Sequence, residues 1–266
     1  MRRFFRGMRY PFGGMSFVLR TPSVYKLALP IVLCAILILG FVLVAGIRWG
    51  GGLIDAVWAT PEREGFWGGV LSVLHGLYAF VFAAGLVVIG YYVWMALTAL
   101  VTAPLKDLLS EKIETMRTGR EGPPLSLPAL VSEVGRTLRV EGGKLAVYVA
   151  LMFPLWVASF AIPWLGQLLL TVVGWYFTAV YLCFDFLDWP MSRRGWGFRH
   201  RFGQIRRNQA LSLGFGTSCW LLLFVPIVNV FLVPGAVAGG TNLFVDLEEA
   251  GAFAPDQKEG GALAGR

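Results

Sequence analysis

The sequence NQALSLGFGTSCWLLLFVPIVNVFLVPGAVAGGTNLFV, residues 208–245, decides the fold. It contains no charged side chain, and it lies between a basic run that ends at Arg207 and an acidic run that begins at Asp246. As one helix these 38 residues would be about 57 Å long, nearly twice the roughly 30 Å of a bilayer's hydrocarbon core. The segment must therefore fold back, and we predict a helical hairpin that enters and leaves the membrane on the same side.

Pro226 marks the predicted turn of this hairpin. It lies about halfway along the segment, and proline ends a helix because it lacks an N–H and fixes φ. Asn229 follows closely and tolerates the backbone conformations of a turn. Both residues are therefore predicted to lie at the tip.

A second uncharged segment, residues 145–184, has the same design, with a proline about 18 residues into it. The predicted tips share a loose Pro-x-x-Gly/Asn spacing: Pro163, Gly166 and Gln167 in one, Pro226 and Asn229 in the other. Two proline-broken apolar segments in corresponding positions are typical of transport proteins, where broken helices line a cavity. Two ordinary hairpins with proline in the loop are the alternative.

The composition indicates an integral membrane protein. Hydrophobic residues make up 56% of the chain and charged residues only 15%, whereas soluble domains carry about 25% charged residues. The mean hydropathy is +0.66. A net charge of +7 could indicate nucleic-acid binding, but the basic residues flank apolar segments, so we interpret them as topology signals and expect no nucleic-acid partner.

The sequence predicts one membrane domain, residues 1–249, followed by a disordered Gly/Ala-rich tail, residues 250–266. Residues 1–26 form a basic amphipathic N-terminus whose arginines face lipid headgroups, or alternatively a specific anion site. Residues 27–47 form the first spanning helix, and residues 66–117 form a long spanning helix that ends in an amphipathic cytoplasmic stem.

The distribution of Lys and Arg predicts the orientation. There are six before the first span, two in residues 48–68, seven in residues 106–144 and six in residues 193–207. Because basic loops remain in the cytoplasm, both termini and the segment between the hairpins are predicted to be cytoplasmic.

No catalytic or metal-binding constellation is evident, so neither an enzyme nor a cofactor is expected. His75 and His200 are far apart, and no nucleophile motif or nucleotide-binding loop is present. His75 is interpreted as a residue near the outer loop, or as a functional polar group within the membrane. The three cysteines lie in apolar runs without metal-ligand spacing.

Several strings, in order and at consistent spacing, resemble the CysZ-type sulfate permeases and the related etoposide-induced-protein group. They are residues 103–114, 162–167, 185–190, 214–216, 225–229 and 233–241. The resemblance implies an all-helical bacterial inner-membrane protein with two long transmembrane helices and two hairpins that penetrate the bilayer only partly. It also implies a homo-oligomer that takes up sulfate for cysteine synthesis.

The family's sulfate-binding signature is similar to Pro-Gly-hydrophobic-Arg-Arg before a later proline, whereas this chain reads Pro-Ser-Val-Tyr-Lys from residue 22. Lys26 keeps the cationic character, but an arginine fork suits an oxyanion better than lysine does. The candidate anion contacts are therefore Arg20, Tyr25, Lys26 and the N–H groups of this helix start.

Other family-motif residues are interpreted as structural. They are Pro104, Glu111, Asp185, Asp188 and Pro190. Asp185 and Asp188 are expected to pair with arginines of the following loop, and Glu111 is expected to form a salt bridge in the stem. A membrane scaffold or lipid-interacting protein without transport activity is the alternative to a sulfate or oxyanion permease.

Overall fold

The computed structural model describes residues 1–59, 65–120, 142–143, 146, 148–160, 162, 164–223 and 226–253, with the backbone alone for 223 and 226–229. All secondary structure in these residues is helical, which confirms the predicted all-α class. The helices are α1 (Arg2–Arg20), α2 (Pro22–Val57), α3 (Gly65–Thr118), α4 (Tyr148–Phe160), α5 (Leu165–Arg193), α6 (Phe198–Arg207), α7 (Gln209–Leu223) and α8 (Pro226–Glu249).

Four of the described helices are long and apolar enough to cross a membrane: α2, α3, α5 and the Val230–Glu249 part of α8. Helix α2 begins earlier and ends later than the 27–47 span expected from sequence. Its start at Pro22 is favourable because proline has the φ angle of a helix and its missing N–H is not needed in the first turn. Helix α3 closely matches the 66–117 range.

The described chain divides into two compact units. The core unit comprises Met1–Ala28 and Pro104–Arg266, and the two-helix unit comprises Leu29–Ala103. Helices α2 and α3 each contribute to both.

In the two-helix unit, α2 and α3 run antiparallel. The indole N–H of Trp94 donates to the carbonyl oxygen of Ala35 at 3.0 Å, and the Tyr78 hydroxyl donates to that of Ile54 at 3.1 Å. His75 donates from Nε2 to the carbonyl oxygen of Trp58, 3.0 Å away. No residue in the most apolar window of α3 is buried, as expected for a helix whose side chains face lipid.

The core unit is built around α8, of whose most apolar window 72% is buried. Helices α1, α5 and α7 pack against it. The apolar core contains Leu187 and Met191 of α5, Phe215 of α7 and Phe244 of α8, each 5% exposed or less. The α3 stem joins this unit through Leu109 and Ile113, which are fully buried, so the apolar face of the stem contacts protein.

Glycines allow the helices of the core unit to approach closely. A Cβ on Gly14 of α1 would lie 2.8 Å from Cα of Gly239 in α8 and closer still to the carbonyl oxygen of Gly235. On α7, a Cβ at Gly214 would clash with the backbone of Phe4. The first half of α1 thus contacts α7 and its second half contacts α8, so α1 crosses the hairpin instead of running beside one arm.

The turn of the 208–245 hairpin differs from the sequence prediction. Helix α8 begins at Pro226, so this proline starts the second arm, and Asn229 lies in the first turn of α8 instead of the connection. Proline at the first helical position is favourable because its φ is preset and its N–H would be unpaired there anyway. The side chains of Pro226 and Asn229 lie outside the described residues.

In the other hairpin, Pro163 lies outside the described residues, and Gly166 and Gln167 lie in the first turn of α5. A Cβ on Gly166 would lie 2.6 Å from Cα of Ser159 in α4. The glycine is therefore needed for the close approach of the two arms, whereas the turn itself contains Trp164 at a φ of 65°.

Replacement of Gly14 by Ala should destabilise the core unit, because the added methyl group meets backbone atoms of α8 that cannot move independently. We expect a loss of about 1–3 kcal/mol. Thermal unfolding of the detergent-solubilised protein measures the effect.

Gly13→Ala is the matched control, since a Cβ at Gly13 meets nothing within 4 Å. Alanine is also the better helix former, by about 1 kcal/mol, so this variant should be as stable as the wild type or more so. Equal destabilisation by both substitutions would contradict the proposed close contact of α1 and α8.

Candidate functional site

The three anion-contact candidates lie around the break between α1 and α2. Thr21 has an extended backbone (φ −111°, ψ 100°) and separates the two helices. Val24 is fully buried, whereas Tyr25 is 43% exposed, and Arg20 and Lys26 are exposed. Neither Arg20 nor Lys26 makes an ion pair with a described residue, so both cations are open to a ligand from solution.

The start of α2 offers fewer free N–H donors than a typical helix start. Pro22 has no N–H, and the N–H groups of Val24 and Tyr25 donate to the carbonyl oxygen of Thr21 at 3.0 and 2.9 Å. Ser23 uses its hydroxyl in a long contact of 3.9 Å to the sulfur of Met116. Anion binding here would therefore depend on side chains more than on the helix terminus.

Unlike Arg20 and Lys26, the two arginines at the end of α5, Arg193 and Arg194, are paired with carboxylates. Arg193 donates to Oε2 of Glu114 from Nε at 3.1 Å and from Nη2 at 2.9 Å. The same guanidinium contacts the carboxylate of Asp107 and donates to the Ser110 hydroxyl at 2.7 Å. The Arg193 side chain is only 11% exposed, so α5 is tied to the α3 stem by a mostly dry ion pair.

Arg194 joins the stem to α8 in the same way. It forms a two-pronged pair with Glu248, with N–O distances of 2.9 and 2.8 Å, and its third nitrogen contacts Glu114. The guanidinium also lies 5.3 Å from the ring centre of Phe244. The hydrogen bonds to Glu248 and then to Glu114 outweigh burial and raise the pKa of Arg194, which keeps it charged.

A third set of contacts fixes α1 and the stem to the end of α8. Arg117 donates to Oδ1 of Asp246 at 2.9 Å, and the Tyr10 hydroxyl donates to Oδ2 of the same carboxylate at 2.6 Å. Burial, and secondly this hydrogen bond, raise the pKa of Tyr10 to about 12, so the hydroxyl remains a donor at physiological pH.

The family-motif residues occupy structural positions. Pro104 lies within α3, and Pro190 is buried near the end of α5, where its carbonyl oxygen accepts from the N–H of Arg194 at 3.3 Å. Asp188 pairs with Arg201 at 2.6 Å, and Asp185 is partly buried on the same helix.

Glu111 makes no ion pair with a described residue, because Glu114 is the stem carboxylate that faces the arginines. Sequence reasoning missed Glu114, Arg193 and Arg194 as a network. The available signal was the helical spacing of Asp107, Ser110 and Glu114 on one face of the stem.

A groove between α4 and α5 is lined mainly by aromatic and apolar side chains, among them Tyr148, Trp156, Trp175 and Trp220. None of the described residues that line it is cationic. Transfer of a divalent anion into such a surface would leave its charge unpaired, so this groove does not suit an oxyanion.

Comparison with known proteins identifies the family. The family model described as sulfate transporter CysZ/etoposide-induced protein 2.4 matches residues 10–234, which is most of the chain. The chain belongs to this family. The family resemblance inferred from the sequence is thereby confirmed.

Individual relatives in this family carry the name sulfate transporter CysZ. The Salmonella typhimurium protein is 30% identical over 161 residues, 60% of this chain and 63% of the relative. The Pseudomonas fluorescens protein is 31% identical over 169 residues (63% and 65%), and that of Pseudomonas aeruginosa is 29% identical over 177 residues (66% and 71%). The match thus spans a little under two thirds of the first of these relatives. Together with the apolar helices, it identifies a bacterial membrane protein.

Replacement of Glu114 by Ala should strongly destabilise the core unit, because two largely buried guanidinium groups lose their shared carboxylate. The Glu114 side chain is 5% exposed, and removal of one partner of a buried ion pair costs about 3–5 kcal/mol. Thermal unfolding in detergent provides the measurement.

Glu249→Ala serves as the control. Glu249 is 57% exposed and lies 3.5 Å from Arg117, so its removal should cost at most about 1 kcal/mol. A Glu114→Ala protein as stable as the Glu249→Ala protein would show that the network does not hold the stem.

Proposed function

We propose that this protein is an inner-membrane transporter for sulfate or a related small oxyanion that supplies sulfur for cysteine synthesis. The observation that carries the proposal is the family match over residues 10–234, together with relatives named sulfate transporters at about 30% identity. The helices long enough to cross a bilayer are consistent with this role. The relatives are named transporters, and we expect no catalytic activity.

Arg20, Tyr25 and Lys26 are the proposed anion contacts. The proposal is supported by a contrast with three other arginines: Arg193, Arg194 and Arg201 are each paired with carboxylates, and their side chains are at most 18% exposed. Arg20 and Lys26 remain exposed at a helix break, and the Tyr25 hydroxyl can donate a hydrogen bond. A lysine at this position binds as a point charge, which predicts weaker discrimination among oxyanions than an arginine fork would give.

The two hairpins are proposed to enter the membrane without crossing it. The family resemblance supports this proposal for both hairpins. In one of them, α7 contains 15 residues and is therefore about 22 Å long, less than the roughly 30 Å hydrocarbon core, although α5 and α8 are long enough to cross it. A pathway through the membrane then requires α2 and α3, and we propose that several copies of the chain assemble around it. Gly166, Gln167 and Asn229 remain the candidates for lining it near the hairpin tips.

Sulfate uptake into liposomes that contain the purified protein tests the function and the site together. Lys26→Ala should weaken sulfate binding by about tenfold to a hundredfold, the value of one charged hydrogen bond. Tyr25→Arg should strengthen binding, because it restores a two-pronged donor. Half-saturating sulfate concentrations, with chloride and phosphate as competitors, are the readout.

Arg48→Gln is the control, since it removes an exposed cation from the far part of α2 and should leave uptake unchanged. If the wild type transports sulfate but neither variant changes the half-saturating concentration, the anion site lies elsewhere. If the folded wild type transports no sulfate, the transporter proposal fails and the membrane scaffold is favoured.

The proposed orientation places both termini in the cytoplasm. In a background without native cysteines, Ala59→Cys at the end of α2 should react with a membrane-impermeant maleimide in intact cells. Ala250→Cys, just after α8, should react only after permeabilisation. Both positions are exposed, so a lack of labelling reports the side of the membrane and not burial. The opposite pattern would contradict the orientation derived from the basic loops.

A further inference from the structure

Helix α1 divides into three stripes that the sequence alone could not separate. One stripe is buried against α7 and α8: Gly7, Pro11, Gly14 and Val18. A second is apolar yet exposed, with residues spaced by seven: Phe5, Phe12 and Leu19. The third group is exposed and basic: Arg2 and Arg9 lie on one line of the helix, and Arg3 lies about 100° around the axis from Arg2. Because the first stripe fixes the rotation of α1, the other two must face the surroundings of the protein.

The apolar stripe is too large and too regular to be a water-facing surface. Phe5, Phe12 and Leu19 are 58%, 53% and 64% exposed, and because they follow one another at intervals of seven residues they form an apolar ridge along one line of the helix surface. Beside it, Arg2, Arg3 and Arg9 make no ion pair with a described residue. An apolar ridge next to a row of unpaired cations is the pattern of a helix that lies in the membrane interface.

Helix α6 repeats the pattern. Phe198 and Phe202 are exposed and stack on each other with a centroid distance of 6.5 Å, and the exposed Arg199 and Arg206 lie on the same side of the helix. The opposite side is fixed by the buried Gln204, and Arg201, which pairs with Asp188, lies between the two sides. The rotation of α6 is thus also set by packing.

Both helices lie at the same end of the α7–α8 hairpin. Helix α6 ends at Arg207, and only Asn208 separates it from α7. Helix α1 crosses α7 at Leu211 and Gly214, within the first two turns of α7. The acidic residues at the end of α8 do not neutralise these cations, since Asp246, Glu248 and Glu249 pair with arginines of the stem and of the α5 end.

We propose that α1 and α6 together bind the phosphate headgroups of anionic phospholipids. The cations that do so are Arg2, Arg3, Arg9, Arg199 and Arg206, which we call the arginine face. In this arrangement Phe5, Phe12, Phe198 and Phe202 insert among the first acyl carbons, and the arginines meet the phosphates above them.

A lipid fits this surface better than a second copy of the chain or a soluble anion. Two copies that met through these ridges would bring their arginine faces together, and like charges oppose such contact. A soluble phosphate would neutralise the arginines but leave the apolar ridge exposed. An anionic lipid does both: its phosphate neutralises the arginines and its acyl chains cover the apolar ridge.

The test titrates lipid into the detergent-purified full-length protein and follows its thermal unfolding. Phosphatidylglycerol is the anionic lipid, phosphatidylcholine the lipid without net charge, and inorganic phosphate the soluble anion. The variants are R2Q/R3Q/R9Q on α1 and R199Q/R206Q on α6. R48Q, which removes a cation from the two-helix unit, is the control.

Phosphatidylglycerol should raise the unfolding temperature of the wild type with a saturable midpoint, whereas phosphatidylcholine and phosphate should not. Each arginine close to an anionic surface changes binding by about fivefold, so R2Q/R3Q/R9Q should move the midpoint at least tenfold higher. R199Q/R206Q should act in the same direction, and R48Q should titrate as the wild type does.

Three results would overturn the proposal. Equal stabilisation by phosphatidylcholine would show that only the apolar stripes bind, and equal stabilisation by inorganic phosphate would indicate a soluble-anion site. Wild-type midpoints in both arginine variants would show that the arginine face does not contact lipid. Because these arginines are exposed, the variants should fold, and their unfolding temperatures without lipid verify this.

Discussion

The pairing of Glu114 with Arg193 and Arg194 holds the core unit together. The Glu114 carboxylate on the α3 stem forms ion pairs with Arg193 and Arg194 at the end of α5. Arg194 also forms an ion pair with Glu248 of α8. Three helices that are distant in sequence therefore meet at one largely buried carboxylate. The low polarity of the site makes each contact strong and makes the loss of any partner costly. The packing of the α3 stem, α5 and α8 against one another depends on these ion pairs.

These ion pairs also divide the arginines of the chain into two classes. Arg193, Arg194 and Arg201 face inward and are matched by acidic side chains, so their role is to fix helices. The arginines on α1, Arg20 included, and on the exposed side of α6 have no described acidic partner, and neither does Lys26 in the first turns of α2. The described part of the chain thus carries an exposed group of cations, which attracts ligands with negative charge.

Most of the fold follows from the sequence, because length and charge leave few alternatives. The hairpins are predictable because an uncharged segment that is too long to cross the membrane once must turn. The amphipathic stem is predictable because Leu109 and Ile113 recur at helical spacing. The position of Pro226 at the start of α8 is not predictable from the sequence, because proline is favourable both in a turn and at the first position of a helix. Nor is the choice of Glu114 over Glu111, since both lie on the stem and only the rotation of α3 decides which one faces Arg193. The proposed anion site is the least predictable part, because it depends on which cations remain unpaired after folding.

The discontinuity of the core unit has a consequence for biogenesis. Helix α1 is complete after residue 20, yet the surfaces that bury Gly7 and Gly14 belong to α7 and α8, roughly 200 residues later. At about 5–20 residues per second, the ribosome needs on the order of 10–40 s to supply them. Throughout that interval α2 and α3 can already occupy the bilayer while α1 has no protein partner. Helix α1 therefore leaves the ribosome long before α7 and α8, which bury it, and closure of the core unit is a late event in the synthesis of the chain.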